Sequence, residues 1–306
     1  MLLVTTALEE TWGTDEEILF LGEWCKLYDR KDTWGKRKSS TLGDPWSDRE
    51  RRFIAYQYTV KVYNSTIKVL ADELNKVHKL NHPVRYWAII CEPWLRLFID
   101  STYHNWECVS DVIDGGQVDG TVEIKTKLES QIPVDMNDFE TKLVSDYWNH
   151  YISTLIINSR INKIITRITA KKDVVSKPIE SFQQQKAIRK LLSIGLKLLL
   201  KFAHYMGLIF NSSKAVFISN PYLSKSNHLK LMIKLGVFPL GNVQPEFYQR
   251  HEYNKDFRVG LTLSDEELSE YEMFLYKTVL EQIPYTYVEG FSDLKLASER
   301  NKWPKA

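Results

Sequence analysis

Two short apolar runs open the chain, at residues 2–8 (LLVTTAL) and 18–24 (ILFLGEW). Each run has the length of a β-strand, and a polar turn containing a glycine separates them. Their hydrophobic residues are nearly continuous instead of alternating, which is typical of strands covered on both faces, as in a parallel sheet. Residues 29–49 show no hydrophobic period and are rich in Gly, Ser and Asp, so this stretch is predicted to be a loop.

A helical pattern follows this predicted loop. Apolar residues spaced by three and four from Phe53 to Leu74 predict a helix over residues 50–78. Ser47 is the expected N-cap, and Glu50 completes a capping box three residues later.

A second helix is predicted over residues 83–103, and a third over residues 137–168. Between them, residues 115–135 contain a β-branched segment (TVEIKT) that indicates a strand. In the second helix, large apolar residues recur at helical spacing and predict a face buried in the core. These residues are Trp87, Ile90, Trp94 and Phe98.

The rest of the chain repeats this mixture of helix and strand after a linker at residues 170–180. The predicted elements are an amphipathic helix (180–205), a strand (214–219), a short helix (228–236), and a helix that Ser264 caps together with Glu267. Strands towards both ends with long helices between them indicate an α/β fold with a large helical insertion. We therefore predict an α/β core from residues 1–48 and 207–306 and a mainly helical insertion at 49–206.

Composition narrows the class of protein further. The chain has 306 residues, with 41 Lys and Arg against 39 Asp and Glu, so the net charge is only +2. A chain of this balance is globular, and it offers no overall basic surface for nucleic acid. Its three cysteines are scattered, which fits a reducing cytoplasm, and no targeting segment is recognised in MLLVTTALEE.

The first candidate site lies where the two opening apolar runs end. Parallel strands that end together present their following residues to one crevice, where ligands of α/β proteins bind. Carboxylates there can act as a base or hold sugar hydroxyls, and a tryptophan can stack on a sugar. The alternative is a solvated loop with a tryptophan in the core. The residues concerned are Thr5, Thr6, Glu9, Glu10, Glu23 and Trp24.

Two further candidates are anion-binding positions. Arg85 lies near the start of the second predicted helix, where its guanidinium can bind a phosphate or carboxylate. Asn220 and Tyr222 follow the strand at 214–219, at a junction with a helix whose amides favour an anion. Ordinary turn chemistry explains Asn220 equally well, and the junction lacks the glycines of a nucleotide-binding loop.

The helix at 180–205 carries lysines on one narrow stripe opposite an apolar side. Such a helix fits an anionic membrane surface, and it fits equally a core helix with a solvated basic face. The lysines of the stripe are Lys186, Lys190, Lys197 and Lys201.

Several segments together resemble a known family. LVTTALEETW, ILFLGEW, the RYW of HPVRYWAII, FISNPYLSK and IPYTYVEGF occur in order along the chain. They are similar to a family of sugar transferases encoded in bacterial regions for O-antigen and surface-polysaccharide biosynthesis. The resemblance implies the amino-terminal half of a B-type glycosyltransferase, whose two halves are Rossmann-like parallel sheets.

The resemblance also implies an activity and a place of action. A sugar would move from a nucleotide-sugar donor to a lipid-linked glycan acceptor such as O-antigen, on the inner face of the cytoplasmic membrane. The family has a donor-binding half after the WPK segment at residues 303–305, supplied in cis or in trans, so the chain alone is expected to be inactive. The alternative is a non-catalytic acceptor-binding or membrane-docking module of a split transferase.

The resemblance assigns roles to the candidate residues. Glu9 or Glu10 is the expected base, Arg85 is expected to bind an acidic acceptor or a phosphate, and Trp24 is expected to stack on a sugar. The further substrate-binding candidates are Thr5, Thr6, Glu23, Asn220 and Tyr222. B-type enzymes need no bound metal or other cofactor, so the nucleotide sugar is the only expected cosubstrate.

Overall fold

The computed structural model describes residues 1–116, 118–160, 167–169, 224–234, 252–258, 268–293 and 295. The chain divides into two compact units, one formed by Met1–Val175 with Gln249–Ala306 and the other by Ser176–Tyr248. The sequence-based division of the chain at residues 48 and 207 stays a prediction.

Within the described residues of the first unit, five strands form one parallel sheet in the order β3-β2-β1-β4-β5. The chain builds outward from β1 on one side and then continues on the other side of β1. The topological switch point therefore lies between β1 and β4, as in Rossmann-like sheets, and the predicted α/β class is confirmed. The strands are β1 (Leu2–Val4), β2 (Ile18–Phe20), β3 (Ser39–Thr41), β4 (Gly120–Ile124) and β5 (Arg167–Thr169).

The two outer strands were not predicted. Residues 29–49 are not only a loop, because they contain a short helix, α1 (Lys31–Trp34), and the edge strand β3. The side chains of β3 are polar and largely exposed, so no hydrophobic run marks it. Strand β5 was predicted to be the end of a helix, but its backbone pairs with β4 through Val122 and Arg167.

Two long antiparallel helices dominate the insertion after β3. Helix α2 (Arg49–His78) packs along α3 (Val84–Asp114), which continues beyond the predicted end at residue 103. The N-cap of α2 is Asp48 and not Ser47, since the Asp48 carboxylate accepts from the amides of Glu50 and Arg51. The predicted buried face of α3 is confirmed at Trp87, Trp94 and Phe98, which have no exposed surface, whereas Ile90 is only partly buried.

The helix predicted over 137–168 is two helices, α5 (Met136–Leu143) and α6 (Asp146–Arg160), which follow a single turn, α4 (Leu128–Gln131). Helix α8 (Glu270–Gln282) begins later than predicted, with Ser269 and Glu272 as its capping box. SxxE occurs at both 264 and 269, so the motif alone does not choose between the two starts. Ser264 and Glu267 lie outside the described residues.

In the second unit, the predicted short helix is confirmed as α7 (Lys225–Lys234). The predicted helix at 180–205 and strand at 214–219 lie outside the described residues. Among the helices that are described, none combines the length and apolar character needed to cross a lipid bilayer.

Candidate functional site

The carboxyl end of β1 carries two adjacent buried threonines. The hydroxyl oxygen of Thr5 lies 2.9 Å from Nδ1 of His150, and both side chains are buried. Thr6 is 1% exposed, and its hydroxyl has no hydrogen-bond partner within the described residues. A buried hydroxyl without a partner costs free energy, which a ligand that bonds to it would recover.

His150 links the two strands on either side of the switch point. The amide of Ile124, the last residue of β4, donates to Nε2 of His150 at 3.3 Å. A neutral imidazole that accepts at Nε2 carries its proton on Nδ1, so it donates from Nδ1 to the Thr5 oxygen. Burial lowers the pKa of His150 to about 4, which keeps the ring neutral at pH 7. The hydroxyl proton of Thr5 is consequently not used in this contact.

The two candidate carboxylates lie in a single 3-10 turn, Glu9–Thr11, on the exposed loop after β1. The Tyr147 hydroxyl donates to Oε1 of Glu10 at 2.9 Å. Glu9 lies 3.8 Å from the guanidinium of Arg30, which also donates to the carbonyl of Ala7 at 3.1 Å. Both glutamates therefore lie on the loop that follows the two threonines, but in different surroundings.

The first turns of α6 hold this loop in place. Asp146, the first residue of the helix, accepts from the amide of Ala7 at 3.3 Å. Tyr147 and His150 bind Glu10 and Thr5 from the same helix. Sequence reasoning missed these three residues, since they lie about 140 positions from their partners and form no local motif.

Trp24 is a fixed and partly exposed platform beside the same loop. Its indole Nε1 donates to the carbonyl of Thr5 at 3.1 Å, and 41% of the residue is exposed. A Cβ at Gly22 would lie 2.1 Å from the indole ring, so the glycine leaves the room that the ring occupies. The edge of the ring contacts His104 at 5.2 Å. The alternative interpretation of Trp24 as a core residue does not hold.

The structure places the other candidates less closely. Glu23 is exposed next to Trp24 and pairs with Lys26 at 2.8 Å. Arg85 is exposed at the start of α3. It is separated from His104 by 19 helical residues, or about 28 Å along the helix axis. Six candidates lie outside the described residues, namely Asn220, Tyr222, Lys186, Lys190, Lys197 and Lys201.

The site so defined, which we term the β1 site, consists of Thr5, Thr6, Glu9, Glu10 and Trp24 with the supporting side chains of α6. Its chemistry is that of hydroxyls, carboxylates and one aromatic face, which suits a polyhydroxylated ligand. In the part of the chain that the structure describes, no three His, Cys, Asp or Glu side chains are grouped as metal ligands would be.

Strand order and switch-point position define a Rossmann-like α/β protein. Comparison with known families adds a second identification, since the model of the LIC12162 family of transferases matches residues 1–306. The chain thus belongs to the LIC12162 transferase family. No curated protein and no solved structure matches the chain.

Proposed function

We propose that the chain is the acceptor-binding half of a glycosyltransferase. The transferred group is a sugar, its donor is a nucleotide sugar, and its acceptor is a lipid-linked surface glycan such as O-antigen. The observation that supports this most strongly is the β1 site in a member of a transferase family. Hydroxyl and carboxylate side chains lie there beside a tryptophan, at the switch point where α/β proteins bind ligands.

In this proposal the acceptor sugar stacks on Trp24, and its hydroxyls bond to the threonines after β1. One acceptor hydroxyl gives its proton to a glutamate as its oxygen attacks the anomeric carbon of the donor. The bond from that carbon to the phosphate oxygen of the nucleotide breaks, and the nucleotide leaves with the electron pair. No bound metal or cofactor is needed for this step.

We assign the base to Glu10 in preference to Glu9. The guanidinium of Arg30 lies 3.8 Å from Glu9, so the carboxylate of Glu9 already has a partner in an ion pair. The Tyr147 hydroxyl donates to Glu10 at 2.9 Å and orients its carboxylate. Glu9 is then a binding residue for the acceptor hydroxyls.

The test is sugar transfer into lipid. The chain, together with a donor-binding half of the family supplied in trans, is incubated with bacterial membranes and labelled UDP-, GDP-, CMP- or dTDP-sugars, and label in the lipid fraction is measured. Glu10→Gln should lower kcat at least about 100-fold, the contribution typical of a general base. Glu17→Gln is the matched control, because Glu17 is a partly exposed, ion-paired glutamate at the opposite end of β2.

Transfer by the wild type that both variants retain would remove Glu10 from the mechanism. Acceptor binding without transfer from any donor would identify the chain as the non-catalytic acceptor-binding module. Absence of both would contradict the proposed function as a whole.

A further inference from the structure

The amino-terminal turns of α2 expose large apolar side chains to solvent. Phe53, Ile54 and Tyr56 are 58%, 58% and 60% exposed. Ala55 and Thr59, on the other side of the same turns, are buried, as are Ile67 and Leu70 further along α2. Phe53, Ile54 and Tyr56 thus lie on the side of these turns that the core does not cover.

Cations flank the exposed turns. Arg49, Arg52 and Lys61 are exposed, and within the described residues none of them forms an ion pair. Arg49 precedes Phe53 by four residues and Tyr56 by seven, so it lies on the same helix face. Glu50 is the only acid between residues 49 and 61, which leaves the surface positively charged.

Two other arginines in this region, Arg51 and Arg96, form ion pairs within the protein. Arg51 donates to both carboxylate oxygens of Asp111 at 2.8 and 2.9 Å and to Glu107 at 3.0 Å. Arg96 of α3 lies 5.8 Å from the ring of Tyr56 and pairs with Asp100. These two arginines serve the fold, whereas the three flanking cations are available to a partner.

The exposed turns are connected to the β1 site by aromatic contacts. Trp24 touches His104, and His104 accepts from Nε1 of Trp46 at 2.7 Å. Trp46 lies 5.8 Å from the guanidinium of Arg51, in the first turn of α2. These consecutive contacts connect the first turn of α2 to Trp24 of the β1 site.

We propose that Arg49, Arg52, Phe53, Ile54, Tyr56 and Lys61 form a surface, the α2 face, that docks on an anionic lipid bilayer. Aromatic and aliphatic side chains flanked by arginine and lysine are suited to the interface of such a membrane, where the apolar groups enter the headgroup region and the cations bind lipid phosphates and carboxylates. A second copy of the chain is a poorer occupant, because two positively charged faces repel each other. Docking does not depend on the transfer reaction.

Sedimentation with vesicles tests the proposal without donor or acceptor. The whole chain is mixed with phosphatidylcholine vesicles that contain or lack phosphatidylserine. We expect binding to the anionic vesicles, and a drop in the partition coefficient of at least tenfold for Phe53→Ser/Ile54→Ser. Ile89→Ser/Val144→Ser is the matched control, since these apolar residues are even more exposed but lie elsewhere, and it should change partitioning less than twofold. Arg49→Gln/Arg52→Gln should lose about fivefold for each cation removed.

Circular dichroism confirms that each variant is folded, and sedimentation velocity gives its oligomeric state. No binding of the wild type to anionic vesicles would overturn the proposal, as would equal loss in the control pair. A wild-type dimer that Phe53→Ser/Ile54→Ser converts to monomer, with no vesicle binding, would assign the face to self-association instead. Vesicle binding without sugar transfer would leave docking established and contradict only the proposed reaction.

Discussion

The imidazole of His150 donates from Nδ1 to Oγ1 of Thr5 across 2.9 Å, and this contact fastens helix α6 to the carboxyl end of β1. The other ring nitrogen accepts from the last residue of β4, so a single buried side chain spans the switch point of the sheet. Protonation of the ring would require Nε2 to become a donor opposite the Ile124 amide, which is itself a donor. The charge on His150 and the integrity of this edge of the sheet are therefore linked.

His150 predicts a loss of stability in mild acid. Its pKa is 6.5 in the unfolded chain and is lowered by burial to about 4 in the folded protein. Below pH 6.5 the unfolded state binds the proton first, so the free energy of unfolding falls as the pH drops and levels off below about pH 4. The full loss is about 3 kcal/mol. Urea unfolding at several pH values measures it.

His150→Gln isolates this effect, because it removes the titrating ring. The variant should lose that part of the pH dependence between pH 6.5 and 4, whereas His82→Gln, at a half-exposed histidine, should keep it. Equal pH dependence in the wild type and in His150→Gln would contradict the assignment.

We expect a substitution at Gly22 to destabilise the protein through a clash with the indole ring of Trp24. Gly22→Ala should cost about 1–3 kcal/mol of unfolding free energy, since the new methyl group meets the indole ring and displaces it from the Thr5 carbonyl. In a Trp24→Ala background the same substitution should cost almost nothing. A double-mutant cycle by urea unfolding gives the coupling, and additive effects would show that the ring is not what Gly22 accommodates.

The sequence identified the central sheet because its strands are apolar runs. β1, β2 and β4 were predicted, and Trp87 and Trp94 were placed in the core by their helical spacing. β3 escaped prediction, since an edge strand with exposed serines has no hydrophobic signature. For helices α2 and α8, neighbouring residues of similar capping chemistry moved the predicted starts by a few positions.

The candidate site was only half accessible to sequence reasoning. Thr5, Thr6, Glu9 and Glu10 were found because they follow a strand. His150 could not be found, because its role depends on a contact with Thr5, 145 positions away in the sequence, and no local motif indicates such a contact. The exposure of Trp24 was equally undetermined, because LGEW is compatible with both a platform and a core residue.

At the end of α8 lies a buried ion pair, and we expect loss of one partner to destabilise the protein more than loss of both. Arg258 pairs with Glu289 at 2.7 Å, and both side chains are almost fully buried. Arg258 also donates to the carbonyls of Leu280 and Ile283, at the carboxyl end of α8. Arg258→Met should destabilise the fold by about 3–5 kcal/mol, because it leaves a buried carboxylate without its cation.

Arg258→Met/Glu289→Leu should recover part of that loss, since no charge then remains buried, although the helix carbonyls still lack their donor. Chemical denaturation of the single and double variants decides the matter. A double variant less stable than Arg258→Met would mean that the unpaired glutamate is not the main penalty.

The side chain of Asn75 closes the turn between the two long helices, and we expect its loss to lower the free energy of unfolding. Its Oδ1 accepts from the amide of His82 and from Nε1 of the fully buried Trp87, and its Nδ2 donates to the His82 carbonyl, each at 2.9 Å. Asn75→Ala leaves the indole N–H without a partner, so unfolding free energy should fall by about 2–4 kcal/mol. Asn75→Asp keeps the acceptor and should cost less.

Asn64→Ala, at an exposed position of α2, is the control and should be nearly neutral. Urea midpoints compare all three, and equal losses in Asn75→Ala and Asn64→Ala would show that the turn does not depend on these bonds.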